Sequence, residues 1–188
     1  MDAETPDTTP PDPANPETGA PGTTNPETGT SGRTPPPDAL ELIHLADVVQ
    51  SVSVRLTSTA PAVVNPRGLK YYYAVATVTS GFLSGSIHLG FTSDELADWG
   101  RLLDAMDEAV DDPAADPDEP FTADWPLSGG SAHLRFFARR PYAGHPYVVE
   151  VRDESGTGIV VSVPLDMDYG WRADARRRLA AVRAALGE

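Results

Sequence analysis

The sequence of 188 residues contains no cysteine. Disulfides, thiol catalysis, and zinc or iron–sulfur sites built on thiolates are therefore excluded. Basic residues are scarce as well, since 14 lysines and arginines stand against 28 acids, for a formal net charge of −14. A protein of that sign repels phosphate backbones and anionic lipid surfaces. We therefore expect no nucleic-acid partner and no membrane partner.

Long apolar runs are missing too. No run in the sequence approaches the roughly 20 apolar residues that a membrane span needs. The opening residues MDAETPD lack the basic start and the apolar stretch of a secretory signal. We therefore expect a cytoplasmic protein.

Residues 1–38 have almost no large apolar side chain, since Met1 is the only one. This segment holds 10 of the 19 prolines, nine threonines, and seven acids against one base. Such a composition cannot bury enough apolar surface to offset the entropy of ordering the chain. Its repeated Asn-Pro-Glu-Thr-Gly, at 15–19 and 25–29, is explained by a duplicated low-complexity decapeptide. We predict a disordered Pro/Thr-rich acidic tail over residues 1–38 and a single domain over residues 39–188.

The first half of the domain has the side-chain alternation of strands. Apolar residues at every second position predict four strands, at about 40–45, 51–57, 69–79 and 82–89. The apolar period then becomes that of a helix, from Leu96 to Val110. Thr92 and Glu95 have the spacing of a capping box, which predicts where this helix begins.

The second half repeats the arrangement. Short alternating segments between glycine-containing turns predict four more strands, at roughly 121–125, 131–138, 146–152 and 158–164. About 16 residues at the end form a second helix, with an apolar stripe from Trp171 to Leu186. The predicted fold is therefore α+β, with about eight short strands in antiparallel sheet or sheets and two packed helices. Its order is four strands, a helix, four strands and a helix.

The domain also carries four packing and turn motifs. They are GFLSG at 81–85, DELADW at 94–99, GIVVSVPL at 158–165 and WRADARRR at 171–178. With these motifs, residues from about 40 to 187 resemble an actinobacterial domain family of unknown function. The resemblance supports the domain boundary and implies no particular activity.

Signatures of catalysis and metal binding are weak. Of the four histidines, no two share the i,i+2 or i,i+4 spacing of metal ligands, and Gly-x-Ser-x-Gly is absent. We therefore predict no catalytic residue, no metal site and no cofactor, and lean away from an enzyme. One alternative is a small-molecule-binding or enzymatic domain with its site on a sheet face. It would use His88 and His133, if they meet across neighbouring strands, together with Arg135.

Acidic residues are concentrated in one segment. Residues 94–119 hold 11 acids and one base. A solvated helix face and loop would explain such a run. A weak divalent-cation patch is a second interpretation. The most specific interpretation is a docking surface for a basic protein. Five acids are the partner-binding candidates: Asp104, Asp107, Glu108, Asp111 and Asp112.

The last helix has the opposite sign. Residues 171–188 carry five arginines against two acids. These arginines suit the negative end of the helix dipole, and they can also pair with the acidic helix, within one domain or between two copies. Our main hypothesis is a non-enzymatic interaction module, of accessory or immunity type, that docks a basic partner through the acidic helix and loop. Self-association through the two oppositely charged helices is a further hypothesis.

Overall fold

The computed structural model describes residues 40–111, 120–127, 132–138, 147–154 and 157–188. The predicted tail over residues 1–38 lies outside these ranges, as do Asp112 and His145. The side chains of Val110 and Asp111 are also outside the description, although both residues belong to a helix.

Nine antiparallel strands and two helices make up the described part of the domain. The strands are β1 (Glu41–Ala46), β2 (Ser51–Leu56), β3 (Val63–Val64), β4 (Lys70–Thr79), β5 (Ser84–Thr92), β6 (Phe121–Trp125), β7 (Ala132–Ala138), β8 (Tyr147–Asp153) and β9 (Val160–Leu165). The helices are α1 (Ser93–Asp111), between β5 and β6, and α2 (Trp171–Leu186), after β9.

The predicted α+β class is confirmed, with antiparallel strands in two sheets and two helices. The order differs by one element, since five strands precede α1 where the sequence predicted four. The additional strand is β3, which pairs with β4 through only two residues, Val63 and Val64. A segment that short contains no repeat of the alternation that reveals a strand.

Sheet A comprises β1 to β5, with β4 at its centre. β4 pairs with β2 and β3 on one side and with β5 on the other, and β1 pairs with β2. Sheet B is a meander of β6, β7, β8 and β9 in that order. Each pairing in both sheets is antiparallel, as the short glycine-containing turns predict.

An aromatic cluster joins the two sheets to α1. Phe91 of sheet A lies 5.4 Å from Trp125 of sheet B, measured between ring centroids. Trp99 of α1 lies 5.9 Å from Trp125 and 5.3 Å from Phe136. The Trp125 Nε1–H group also donates a hydrogen bond to the Glu95 carbonyl oxygen, at 2.7 Å. One face of α1 is therefore held in the core, which leaves its opposite face to solvent.

The second helix packs against α1 and β1. Its predicted apolar stripe is buried: Trp171, Ala175, Leu179, Val182 and Leu186. At the crossing, a Cβ added to Gly100 would lie 3.3 Å from Leu179 Cδ2. This close approach explains the glycine inside α1, where it costs about 1 kcal/mol relative to alanine.

Candidate functional site

The beginning of α1 sets which residues face solvent. Thr92 N–H donates to Glu95 Oε2 at 2.8 Å, and Glu95 N–H donates to Thr92 Oγ1 at 3.3 Å. This is the capping box that the sequence predicts. It fixes the rotation of the helix from its first turn.

The acids of α1 divide between a packed side and an exposed side. The buried stripe contains Leu96, Trp99, Leu102, Leu103 and Met106. Helical spacing of 100° per residue places Asp94, Asp104 and Glu108 on the opposite side, and all three are exposed. We call these three residues the acidic side of α1.

Arginines from α2 reach the acidic helix. Arg176 Nη2 donates to Asp104 Oδ1 and to Asp107 Oδ2, both at 2.7 Å. Arg172 Nε lies 2.8 Å from the other Asp107 oxygen, Oδ1. The hydrogen bonds that Arg176 donates to Asp104 and Asp107 raise the pKa of Arg176. The predicted pairing of the two oppositely charged helices thus occurs within one domain.

The five acidic candidates therefore have different environments. The Asp107 side chain is only 28% exposed and bridges two arginines, whereas the Asp104 side chain stays 67% exposed despite its bond to Arg176. Glu108 lies one turn after Asp104 and is exposed. Asp111 ends α1, and Asp112 lies outside the described residues. A docking role for this set stays a prediction.

The remaining arginines of α2 are engaged inside the domain too. Arg178 pairs with Glu41 and with Asp174, whose pKa it lowers through a hydrogen bond. Arg177 also pairs with Asp174. Arg183 Nη2 donates to the Leu96 carbonyl oxygen at 3.4 Å. The positive charge of α2 is therefore directed at its own domain, so few arginine groups are left for a second copy.

A groove of about 480 Å³ runs between the two helices. Its charged walls include Asp104, Arg176 and Arg183, and Leu179 contributes to the apolar part of its lining. The groove opens beside the acidic side of α1, because Asp104 belongs to both.

The outer face of sheet B carries a second set of charged residues. Arg135 donates to both carboxylate oxygens of Asp124, Nε to Oδ1 at 2.6 Å and Nη2 to Oδ2 at 2.8 Å. His133 Nε2 lies 4.0 Å from Asp124 Oδ1 and 3.9 Å from Glu154 Oε1. The bond from Arg135 lowers the pKa of Asp124.

His133 and Arg135 are thus brought together on β7, but His88 is not part of the same face. His88 belongs to β5, in sheet A. The expectation that His88 and His133 meet across neighbouring strands is wrong, because their strands belong to different sheets. Alternation shows which face a residue occupies within its strand and says nothing about which sheet the strand joins.

A family of unknown function (DUF5959) matches residues 40–187 of the chain. The chain belongs to this family. The match confirms the predicted resemblance in its boundaries and in its lack of an assigned activity, whereas the actinobacterial range stays a prediction.

Two further comparisons add little to the DUF5959 assignment. No curated protein matches the sequence. Among solved structures, "Crystal Structure of WHY1 from Arabidopsis thaliana" is 12% identical, with a TM-score of 0.37. The match covers 81% of this chain and 91% of that one.

In the described part of the DUF5959 domain, no group of three or more His, Cys, Asp or Glu residues is arranged to hold a metal ion. Neither α1 nor α2 combines the length and apolar composition of a membrane-spanning helix.

Sequence reasoning missed the partners on sheet B. The spacing of His133 and Arg135 already places both on one face of a strand. Their cross-strand neighbours Asp124, Glu150 and Arg152 follow from the registers of β6, β7 and β8. A pattern within one strand does not contain that register, so no local signal would have found these pairs.

Proposed function

We propose that this DUF5959 domain is a non-enzymatic interaction module, of accessory or immunity type. It docks a basic protein partner through the acidic side of α1 and the acidic loop that follows. The observation that carries the proposal is the position of these acids on the helix, directly opposite the buried stripe. Residues placed there are free to meet a partner without disturbing the core.

Charge explains how such a surface would select its partner. Within residues 94–111 there are seven acids and one base, Arg101, which pairs with Asp98. Like charges held on one rigid helix add their fields, which steers a basic partner over about one Debye length, roughly 8 Å at physiological salt. Binding of this kind weakens as salt rises.

Contacts with the arginines of α2 give the acids of α1 different roles. Asp107 holds Arg172 and Arg176, so its main contribution is to position α1 against α2. Asp104 and Glu108 present their carboxylates outward from the helix that Asp107 fixes. We therefore assign direct contact with the partner to Asp104 and Glu108, and also to Asp111 and Asp112, which continue the acidic run.

The test starts with capture of partners from the native host by the full chain. Captured proteins are then purified, and their affinity for the chain is measured by calorimetry at low, physiological and high salt. We expect a partner with a basic surface and an affinity that falls with salt. A partner without a basic surface, or an affinity indifferent to salt, contradicts the proposal.

A pair of matched variants locates the surface. Asp104→Asn with Glu108→Gln removes two negative charges from the acidic side of α1. Glu154→Gln with Asp166→Asn removes the same charge from other exposed positions. We expect the first variant to weaken binding and the second to bind as the wild type does. Equal effects of the two would mean that net charge alone, and not this surface, attracts the partner.

One observation supports the alternative, a small-molecule or enzymatic site on a sheet face. His133 and Arg135 lie together on the outer face of sheet B. Arg135 is already bonded to both oxygens of Asp124, so an anionic ligand would first have to displace that carboxylate. The interaction module is therefore the better-supported function.

A further inference from the structure

Strand β5 forms an edge of sheet A whose sequence lacks the usual protection, although the strand also contacts α1 and β7. β4 is its only partner among the described strands. Its sequence, SGSIHLGFT, contains no proline and no acid, lysine or arginine. Exposed edges template pairing with another chain, and proteins commonly protect them with charges, prolines, bulges or a covering element.

Three other edge strands of the two sheets do carry such protection. β1 has an irregular register between Glu41 and Ile43, and α2 packs against it. β9 contains Pro164, which lacks the N–H group that pairing requires. β6 lies beside α1 and presents the charged Asp124. β3 is also an edge strand without proline or charge, but it has only two residues, whereas β5 has nine.

The exposed part of β5 is its first half. Ser84, Gly85, Ser86 and His88 are exposed and Ile87 is half-buried, whereas residues 89–91 are buried. We call residues 84–88 the open edge.

Backbone geometry shows which groups of the open edge are available. At the β4–β5 turn, Ser80 N–H donates to the Leu83 carbonyl oxygen at 2.7 Å, which makes these two residues a hydrogen-bonded pair. Such pairs alternate along an antiparallel ladder, so Gly85 and Ile87 bond to β4. Ser84, Ser86 and His88 therefore direct their N–H and C=O groups away from β4.

We propose that the open edge pairs antiparallel with the open edge of a second copy, about a two-fold axis at Ser86. In this register Ser86 faces Ser86 of the second copy, and Ser84 faces His88. Each of these pairs exchanges both backbone hydrogen bonds. The two A sheets become one continuous sheet, and the two-fold contact is closed, because each open edge pairs with the other.

Side chains on the other face of the strand fit the same register. Ile87 comes opposite Gly85 of the second copy, and the missing side chain of glycine leaves space for it. Leu83, 39% exposed in the single chain, comes opposite Leu89. The contact therefore covers apolar groups that one chain leaves in water.

Charge favours a second copy as the occupant. The whole molecule carries −14, but residues 40–92 hold only two acids against three bases. Two copies that meet at the open edge thus bring neutral surfaces together. The Pro/Thr-rich segment of residues 1–38 is a poor occupant, because its 10 prolines supply no N–H groups to a ladder.

Sedimentation velocity of the full chain over a wide concentration range tests the proposal. We expect a monomer–dimer equilibrium in the wild type. Ser86→Glu or Ser86→Lys places like charges opposite each other at the axis and weakens the dimer by about fivefold. An equal mixture of the two variants restores it, because opposite charges then meet. Thr79→Glu, on the same face but one strand further in, leaves the dimer intact.

A second variant keeps the test independent of charge. Ser86→Pro removes an N–H group that points away from β4, so it breaks no bond of the hairpin, yet it interrupts the proposed ladder at its centre. We expect a monomer with an unchanged circular dichroism spectrum. The proposal is overturned if the wild type is monomeric throughout, if the Ser86 variants dimerise as the wild type does, or if the mixture binds no better than either variant alone.

Discussion

Two buried tryptophans in the core differ in the hydrogen bonding of their indole N–H groups. Trp125 and Trp99 are 1% and 0% exposed, and their rings are in contact. The Nε1–H group of Trp125 bonds to the Glu95 carbonyl oxygen at 2.7 Å, which ties sheet B to the first turn of α1. Trp99 Nε1 is buried without a hydrogen-bond partner. The two residues therefore form a natural pair for measuring one hydrogen bond.

Replacing each tryptophan by phenylalanine separates the bond from the ring. Both Trp125→Phe and Trp99→Phe remove part of the indole from the core, but only the first removes a hydrogen bond. We expect Trp125→Phe to lower the free energy of unfolding by about 1 kcal/mol more than Trp99→Phe does. Urea denaturation of the two variants measures the difference. Equal losses would show that the bond to Glu95 adds nothing net.

Glycine at position 90 is required by a neighbouring ring. A Cβ at this position would overlap the Tyr71 side chain, with Cε1 only 2.8 Å away. Tyr71 also packs edge-on against Tyr73, at 5.4 Å between ring centroids. The outer face of sheet A is thus closely packed at the buried end of β5, in contrast to the open edge at its beginning.

Among the elements, sheet B owes part of its cohesion to charge pairs on its outer face. Asp124 of β6 is bonded to Arg135 of the neighbouring strand β7. Within β8, Arg152 lies 3.4 Å from Glu150, measured from Nε to Oε2. These side chains are partly exposed, so each pair contributes modestly. Their stability contribution depends on pH because the pKa of Asp124 is lowered by Arg135.

The sign of that dependence follows from the direction of the shift. The ordinary Asp124 pKa is 3.8, and the folded value lies below it. The stabilisation is therefore complete above pH 3.8 and is lost as pH falls through the folded value. We expect Asp124→Asn to lower the free energy of unfolding by about 0.5–1 kcal/mol at neutral pH and by progressively less below pH 3.8.

Urea denaturation at several pH values measures this difference. Asp166→Asn is the control, since Asp166 is exposed and has no ion pair with any described residue. A deficit of Asp124→Asn that persists unchanged in acid would contradict the role given to the charge pair.

At the scale of the whole molecule, the charge and the core occupy different parts of the chain. The buried core among the described residues extends from Leu42 to Leu186. Residues 1–38 hold seven acids against one base and no large apolar residue after Met1. We therefore propose that this segment takes no part in the stability of the domain, in keeping with the predicted boundary at residue 39.

Removal of residues 1–38 tests this boundary. We expect the chain of residues 39–188 to unfold at the same temperature as the full chain, since no apolar burial is lost. Differential scanning calorimetry of the two chains measures it. A lower midpoint for the shorter chain would place part of the first 38 residues in the fold.

Local physics allowed much of the fold to be predicted from the sequence. Alternation in 51–57 and 69–79 predicted β2 and β4, because successive side chains of a strand point to opposite faces. The Thr92–Glu95 spacing predicted the first turn of α1, and the stripe from Trp171 to Leu186 predicted α2. Each of these signals lies within one short segment, so it is visible without knowledge of what the segment packs against.

Contacts between distant segments were decided only by the tertiary structure. It placed His88 and His133 in different sheets, so they are not cross-strand neighbours, and it turned Asp107 towards Arg172 and Arg176 of α2. It also left the first half of β5 at an exposed edge of sheet A, a position that the sequence of the strand does not reveal. Strand register and helix crossing are set by how whole faces pack, so the segments show these pairings only after they have come together.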